Sequence, residues 1–159
     1  DSVVGLLAGT VLALLYFVEN FSKGHFDITR NRGNEFIDRL YEGDFDKFNE
    51  SVDVVVYSFK GSLTYVNGET HKDRIHEKMA LFNTIILRMR ELGHMDHDGL
   101  EILYEIIEEL ESNNKKIFIT GLSPDVKESM IKNDKAHLIT DDMVLENTTG
   151  ALKSLGFII

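Results

Sequence analysis

Four side chains that can bind a metal or move a proton lie within five consecutive positions: His94, Asp96, His97 and Asp98. Histidine imidazoles and carboxylates are the usual ligands of zinc and related divalent metals. Neighbouring loop residues seldom converge on one ion, however, and no second cluster stands at a suitable spacing. His71 and His76 are five residues apart, which places them about 140° apart around a helix. The sequence therefore predicts no metal site.

Cysteine and the sequence motifs of several common catalytic sites are also missing. The chain has no cysteine, which excludes a thiol nucleophile, a zinc-thiolate centre and a disulfide. It has no Walker loop, no nucleophile elbow and no HExxH spacing. We therefore predict that the chain is not an enzyme and that it requires no cofactor.

Size and charge narrow the range of functions further. The 159 residues suffice for one ordinary domain. With 17 Lys and Arg against 27 Asp and Glu, the formal net charge is -10. Binding to nucleic acid depends on a connected basic patch that neutralises phosphates. Nucleic acid is therefore not an expected partner.

The chain opens with a long uncharged segment. Residues 3–18 read VVGLLAGTVLALLYFV. As a helix this segment spans about 24 Å, somewhat less than the ~30 Å hydrocarbon core of a bilayer. The sequence begins Asp-Ser, unlike the basic start of a secretory signal. We interpret residues 1–18 as the end of a membrane domain, its last helix, and expect further sequence upstream. The alternative is a buried core helix of a soluble protein.

Two features indicate how this helix would lie in a membrane. Gly5, Gly9 and Ala13 recur every four residues and share one face, where another membrane helix could approach closely. The first basic residues of the chain follow shortly afterwards, at positions 23, 30 and 32. By the positive-inside rule they place residues 19–159 in the cytoplasm, and the chain at the cell membrane in contact with lipid.

Hydropathy patterning divides the rest into a linker and a domain. Residues 19–50 are rich in charge, Asn and Gly, and predict a linker with a two-turn helix at 35–41. From residue 51 strands and helices alternate. Strands are expected at 52–57, 63–66, 84–89, 115–120 and 137–139, and helices at 69–82, 100–110, 124–133 and from 140 or 141 to 155. This order predicts an α/β fold, a mixed and largely parallel sheet with helices packed against it.

One stretch of this domain carries a family resemblance. The positions Phe59, Gly61, Leu63, Tyr65 and Asn67 follow the pattern Phe-x-Gly-x-Leu-x-Phe/Tyr-x-Asn. With the apolar helix upstream, the chain resembles the end of a sulfate permease (SulP) family anion transporter. That resemblance implies a last transmembrane helix at residues 1–18 followed by a cytoplasmic STAS domain at 51–159.

A second motif of that family is only half kept. The STAS signature Asp-Ser-Ser/Thr-Gly is matched at Asp96 and Gly99, while His97 and Asp98 occupy the two hydroxyl positions. In STAS proteins that antagonise anti-sigma factors, the serine after the aspartate is phosphorylated. The resemblance therefore implies no serine switch in this chain. Asp98 is expected to cap the following helix, with Glu101 completing a capping box.

The resemblance implies a function and a set of partners. The chain is expected to be the regulatory or interaction part of a secondary transporter of sulfate, bicarbonate, a dicarboxylate or a similar anion. Its partners would be the rest of the membrane domain, a second copy in a homodimer, and a cytoplasmic protein. Two alternatives stay open. One is a membrane-tethered STAS signalling module that binds a protein without transport, and the other is a nucleotide-binding or phospho-acceptor module.

Overall fold

A computed structural model describes residues 1–157, without the side chains of residues 21, 32, 35–38 and 41–43. The helices are α1 (Ser2–Ser22), α2 (Tyr65–Lys78), α3 (His97–Ser112), α4 (Pro124–Lys132) and α5 (Thr148–Ser154). The strands are β1 (Phe26–Arg32), β2 (Glu35–Tyr41), β3 (Val54–Phe59), β4 (Gly61–Leu63), β5 (Thr84–Arg88), β6 (Leu92–Met95), β7 (Lys116–Thr120) and β8 (Val144–Leu145). Short 3-10 helices cover Glu42–Lys47 and Met79–Leu81.

The main sheet has six strands in the order β2-β1-β3-β5-β7-β8. Strands β3, β5, β7 and β8 are parallel, whereas β1 is antiparallel to both β2 and β3. Strands β4 and β6 form a separate parallel pair. The predicted α/β fold with a mixed sheet is confirmed. Buried apolar runs such as the VVVYSF of β3 are what interior strands of such a sheet require.

The two faces of the sheet are covered unequally. The larger core lies between one face and helices α2 and α3, and it includes Tyr57, Phe59 and Leu103. A smaller cluster on the other face packs Val56 and Ile86 against Leu152 of α5. Among the helices, α3 contributes the most side chains to the larger core, because its apolar residues recur at helical spacing and line one side.

The prediction for residues 19–50 was wrong in its secondary structure. Residues 35–41 form strand β2, not a helix, and β1 joins β2 to β3 within the main sheet. The expected linker thus contributes two strands. Phe26 and Ile28 face the core with the period of two that a strand requires. Gly33, whose φ is +62°, lies in the turn between β1 and β2.

The last third of the chain also differs from prediction. Residues 137–139 are not a strand, because the carboxylate of Asp134 accepts the amide hydrogens of Leu138 and Ile139 at 3.0 and 2.7 Å and holds them in a loop. The strand that pairs with β7 is β8, a few residues later. The final helix begins at Thr148, capped by the side chain of Asn147.

Helix α1 stands apart from this core. Within the described residues it is the one helix long and apolar enough to cross a membrane, over Ser2–Asn20 with a mean hydropathy of 2.0. None of that window is buried. Within the described residues, α1 is therefore not a buried core helix.

Candidate functional site

The signature loop, residues 96–99, joins the end of β6 to the first turn of α3. Asp96 is the residue that caps α3: its carboxylate accepts the amide hydrogen of Gly99 at 2.7 Å. The predicted cap at Asp98 is wrong, because the helix begins at His97 and Asp98 already lies in its first turn. A carboxylate at either position complements the positive end of the helix dipole.

Gly99 allows the loop to lie against strand β4. A Cβ added at Gly99 would lie 2.1 Å from the carbonyl oxygen of Leu63, a separation that no side chain tolerates. The amide of Asp96 also donates to that oxygen, at 3.3 Å. The matched half of the motif, Asp96 and Gly99, therefore has a structural role, because it holds the start of α3 against β4.

The other two loop residues face outward. Both His97 and Asp98 are exposed, and Nε2 of His97 lies 4.0 Å from a carboxylate oxygen of Glu101. His94, on β6, is exposed as well. Across the described part of the chain, no three His, Cys, Asp or Glu side chains converge as metal ligands would. The side chains of His97 and Asp98 are thus open to solvent.

A groove of about 280 Å³ runs beside this loop, between the start of α3 and helix α4. It is lined by Met95, Asp96, His97, Leu100, Asp125, Val126, Ser129 and Asn133. Sequence reasoning missed the contribution of α4, since about 30 residues separate it from the loop and no local pattern links the two. The lining combines apolar side chains with carboxylate, imidazole, hydroxyl and amide groups.

The stretch from Phe59 to Asn67 that carries the resemblance is mostly structural. Phe59 and Leu63 are fully buried. Asn67 ties β4 to α2, because its amide nitrogen donates to the carbonyl oxygen of Ser62 at 2.7 Å while its oxygen accepts from the amide of Thr64 at 3.0 Å. Tyr65, in contrast, is 65% exposed at the start of α2.

The small residues of α1 are exposed. No atom lies within 4 Å of a Cβ placed on Gly5 or Gly9, and Ala13 is exposed on the same helix. The part of the chain that the structure describes therefore supplies no helix to pack on this face. Packing through these residues remains a prediction about other membrane helices.

A buried polar cluster that sequence reasoning missed lies beneath the end of α1. Nη1 of Arg74 lies 2.9 Å from the Tyr57 hydroxyl oxygen and donates to it, and that hydroxyl lies 2.6 Å from Nδ1 of His71. His71 is fully buried. Its burial, and to a lesser extent the charges of Arg74 and His25, lower the pKa of His71 to about 3. The imidazole is therefore neutral at physiological pH.

A second cluster lies on the opposite face of the sheet. The buried carboxylate of Asp27 lies 2.6 Å from Nη2 of Arg39 and 3.0 Å from Nζ of Lys60. Burial alone would raise the pKa of Asp27, but the hydrogen bonds from Arg39 and Lys60 outweigh it and hold that pKa below its usual value. This ion-paired group joins β1, β2 and the end of β3, and it shows no arrangement for catalysis.

Comparison with known proteins identifies the family of this domain. The STAS domain family matches residues 47–149. A curated protein of Bacillus subtilis, named "Putative sulfate transporter YvdB", is 25% identical over 140 residues, which cover 87% of this chain and 24% of that protein. The chain thus spans about a quarter of the length of this relative.

Two solved structures have a similar fold. The murine solute carrier 26 family member A9 anion transporter, in its inward-facing state, matches 95% of this chain and 25% of its own, with a TM-score of 0.66 and 15% identity. The STAS domain of a SulP transporter from Vibrio cholerae matches 63% of this chain and 78% of its own, with a TM-score of 0.55 and 24% identity. The chain belongs to the STAS domain family.

Proposed function

We propose that this chain is the C-terminal regulatory or interaction region of a secondary anion transporter of the SulP type. Helix α1 would be the last membrane helix, with residues 19–159 in the cytoplasm. The chain itself would catalyse no reaction. The transported ion would be sulfate or a similar inorganic or small organic anion, bound by membrane helices outside this sequence.

The observation that carries this proposal is an apolar, fully exposed helix directly joined to a STAS domain. A soluble protein would hide such a helix in its core, since 19 exposed residues with a mean hydropathy of 2.0 favour transfer into lipid. The similarity to the Bacillus subtilis relative covers 87% of the chain, so it includes residues beyond the STAS domain. A membrane transporter with a cytoplasmic STAS domain would contain both the apolar helix and the domain.

The proposed domain limits follow from α1 and from the strands of the main sheet. Residues 1–18 would be the end of the membrane domain, as the sequence predicts. The cytoplasmic domain would begin earlier than residue 51, because β1 pairs with β3 and β2 pairs with β1 in the same sheet. Only the few residues between α1 and β1 would then act as a linker.

The signature loop would serve as a contact surface for a partner. Asp96 and Gly99 fix the backbone, while His97 and Asp98 present an imidazole and a carboxylate at its exposed side. The partner could be a cytoplasmic protein or a second copy of the chain. A serine-based switch would be absent, because neither residue carries a hydroxyl group.

Uptake by the complete protein tests the transport proposal. The protein that contains this chain would be reconstituted in liposomes and supplied with radiolabelled sulfate under a proton or sodium gradient. Bicarbonate and a dicarboxylate would be used in turn as alternative substrates. We expect gradient-dependent uptake of at least one anion above that of empty liposomes. No uptake of any of them by a correctly folded protein would contradict the proposal.

The second candidate is a membrane-tethered signalling module. The exposed side chains of His97 and Asp98 favour it, because an imidazole and a carboxylate at the surface suit contact with a protein partner. Such a module would bind a protein while its membrane fraction transports nothing. Phosphohistidine at His97 would identify a phospho-acceptor module instead. Calorimetry with GTP and ATP would test the nucleotide-binding alternative, for which we expect no heat at millimolar nucleotide.

A further inference from the structure

We propose that α2 is a coupling helix, which fixes the orientation of α1 relative to the sheet by holding the C-terminal end of α1 through Thr70 and Arg74. The inference concerns the joint between the apolar helix and the domain. It holds in a detergent micelle as well as in a bilayer, and it does not depend on whether the complete protein transports an anion.

The last carbonyl groups of a helix have no partner within that helix and need donors from elsewhere. At the end of α1, donors come from α2. The hydroxyl of Thr70 donates to the carbonyl oxygen of Ser22 at 2.9 Å. Arg74 donates through Nη2 to Lys23 at 2.8 Å and through Nη1 to Gly24 at 3.1 Å. Three successive carbonyl groups are thus bound by two side chains.

Charge supports the same arrangement. Helix α1 has no basic residue in its own last turn. The guanidinium of Arg74 supplies a positive charge there, where it complements the negative end of the helix dipole. Hydrogen bonds from a charged donor are also stronger than those between neutral groups. Arg74 therefore acts as a helix cap that a different helix provides.

Arg74 is itself held in place. Its guanidinium lies over the ring of Phe26, 3.8 Å from the ring centroid, and its Nη1 also donates to the hydroxyl of Tyr57. Phe26 opens strand β1, and Tyr57 lies on β3 in the centre of the sheet. The cap is therefore anchored to the sheet, and it links α1 to β1 and β3.

The chain between α1 and β1 leaves little room for independent motion. Gly24 has a φ of +61°, and a Cβ placed on it would lie 2.7 Å from Nε2 of the buried His71. The connection is thus packed directly on α2 rather than spanning solvent. A rigid joint of this kind differs from the flexible linker that the composition of residues 19–50 predicts.

The same helix contacts the region of the signature loop at its other end. Gly68 packs so closely on Ile102 of α3 that an added Cβ would lie 2.8 Å from it, and Asn67 is bonded to the end of β4. Thr70 and Arg74 follow within about two turns. A displacement at the start of α2 would therefore reach α1 through one short helix.

The test is a distance measurement on the whole chain in nanodiscs. Because the natural sequence has no cysteine, spin labels can be placed at Leu14→Cys on α1 and Glu108→Cys on α3, both exposed positions. We expect one narrow distance distribution in the otherwise native chain. In the double variant Thr70→Val with Arg74→Gln, the distribution should broaden. Backbone amide exchange at residues 23–26 should also accelerate by at least about tenfold, the factor for one charged hydrogen bond, because the double variant removes three hydrogen bonds.

A matched control removes an arginine and a threonine elsewhere. Arg90→Gln with Thr149→Val changes two exposed side chains, and the distribution should stay narrow. Protection of β5 amides would confirm that each variant is folded. If the double variant unfolds, the single variant Thr70→Val replaces it. This variant loses only the hydrogen bond to the carbonyl oxygen of Ser22, and the distance distribution should still broaden. A broad distribution in the native chain, or a narrow one in a folded Thr70→Val, Arg74→Gln variant, would overturn the proposal.

Discussion

The α-carbon of Gly99 faces the carbonyl oxygen of Leu63 so closely that a Cβ added to Gly99 would lie 2.1 Å from that oxygen. The contact joins the first turn of α3 to the end of β4. The glycine of the signature is thus explained by backbone packing. A substitution there should act on stability even where no ligand is bound.

We predict that Gly99→Ala destabilises the domain by about 2–4 kcal/mol, because the backbone of β4 cannot yield as a flexible side chain would. Gly150→Ala is a matched control. Its amide is also bonded to the side chain of its helix cap, Asn147, at 2.7 Å, but its added Cβ would meet only that side chain, at 3.2 Å. Urea titration in micelles measures both. Equal costs for the two variants would refute the packing argument.

A second glycine pair separates close packing from backbone strain. Gly24 and Gly33 have nearly the same positive φ, 61° and 62°, but only Gly24 lies against a buried side chain, that of His71. Alanine should cost about 1 kcal/mol or more at Gly33 through its backbone alone. Gly24→Ala should cost clearly more in the same titration. A Gly24→Ala variant as stable as Gly33→Ala would show that the connection is not packed on α2.

The buried His71 predicts a pH dependence of stability. Its pKa is lowered from 6.5 to about 3 in the folded chain, so below pH 6.5 the unfolded chain binds a proton that the folded chain does not. Stability should therefore fall as the pH drops from about 6.5 towards 3, by up to about 1.4 kcal/mol per pH unit, with no contribution above 6.5.

Two histidine variants test this assignment. His71→Gln should lower stability at neutral pH, because its bond with Tyr57 is weakened, and should flatten the dependence between pH 6.5 and 4. His94→Gln, at an exposed position, should leave the dependence as it is. The free energy of unfolding of the native chain and of both variants would be measured from denaturation curves at every half unit of pH. A native slope that persists in His71→Gln would assign the pH dependence to other groups.

The parts that the sequence could predict are those whose pattern is local. The apolar periodicity of α3 and the continuous apolar runs of β5 and β7 indicate buried elements without knowledge of their neighbours. The stretch from Phe59 to Asn67 is an exception, because its pattern predicts a strand at 63–66 and a helix from 69, whereas β4 ends at Leu63 and α2 begins at Tyr65. An uncharged run of 16 residues likewise indicates a membrane helix by length and composition.

The parts that it could not predict depend on distant contacts. Strands β1 and β2 are rich in charged residues. What makes them strands is backbone pairing: β1 pairs with β3, more than 20 residues away, and β2 pairs with β1. Arg74 is 50 residues from Gly24, whose carbonyl it binds, and no spacing in the sequence signals that bond. The sequence predicts Asp98 as the helix cap because Glu101 stands three residues later, whereas the packing of Gly99 on β4 places the start of the helix so that Asp96 is the cap.

The most direct test of the central claim is the membrane topology of α1. In the complete protein, with any upstream cysteines removed, single cysteines would be placed at Ser2 and at Glu108, and intact cells would be treated with a membrane-impermeant maleimide. If α1 spans the membrane with residues 19–159 in the cytoplasm, Ser2→Cys will be labelled in intact cells and Glu108→Cys only after the cells are opened. Labelling of Glu108→Cys in intact cells, or recovery of the protein in the soluble fraction, would contradict this topology.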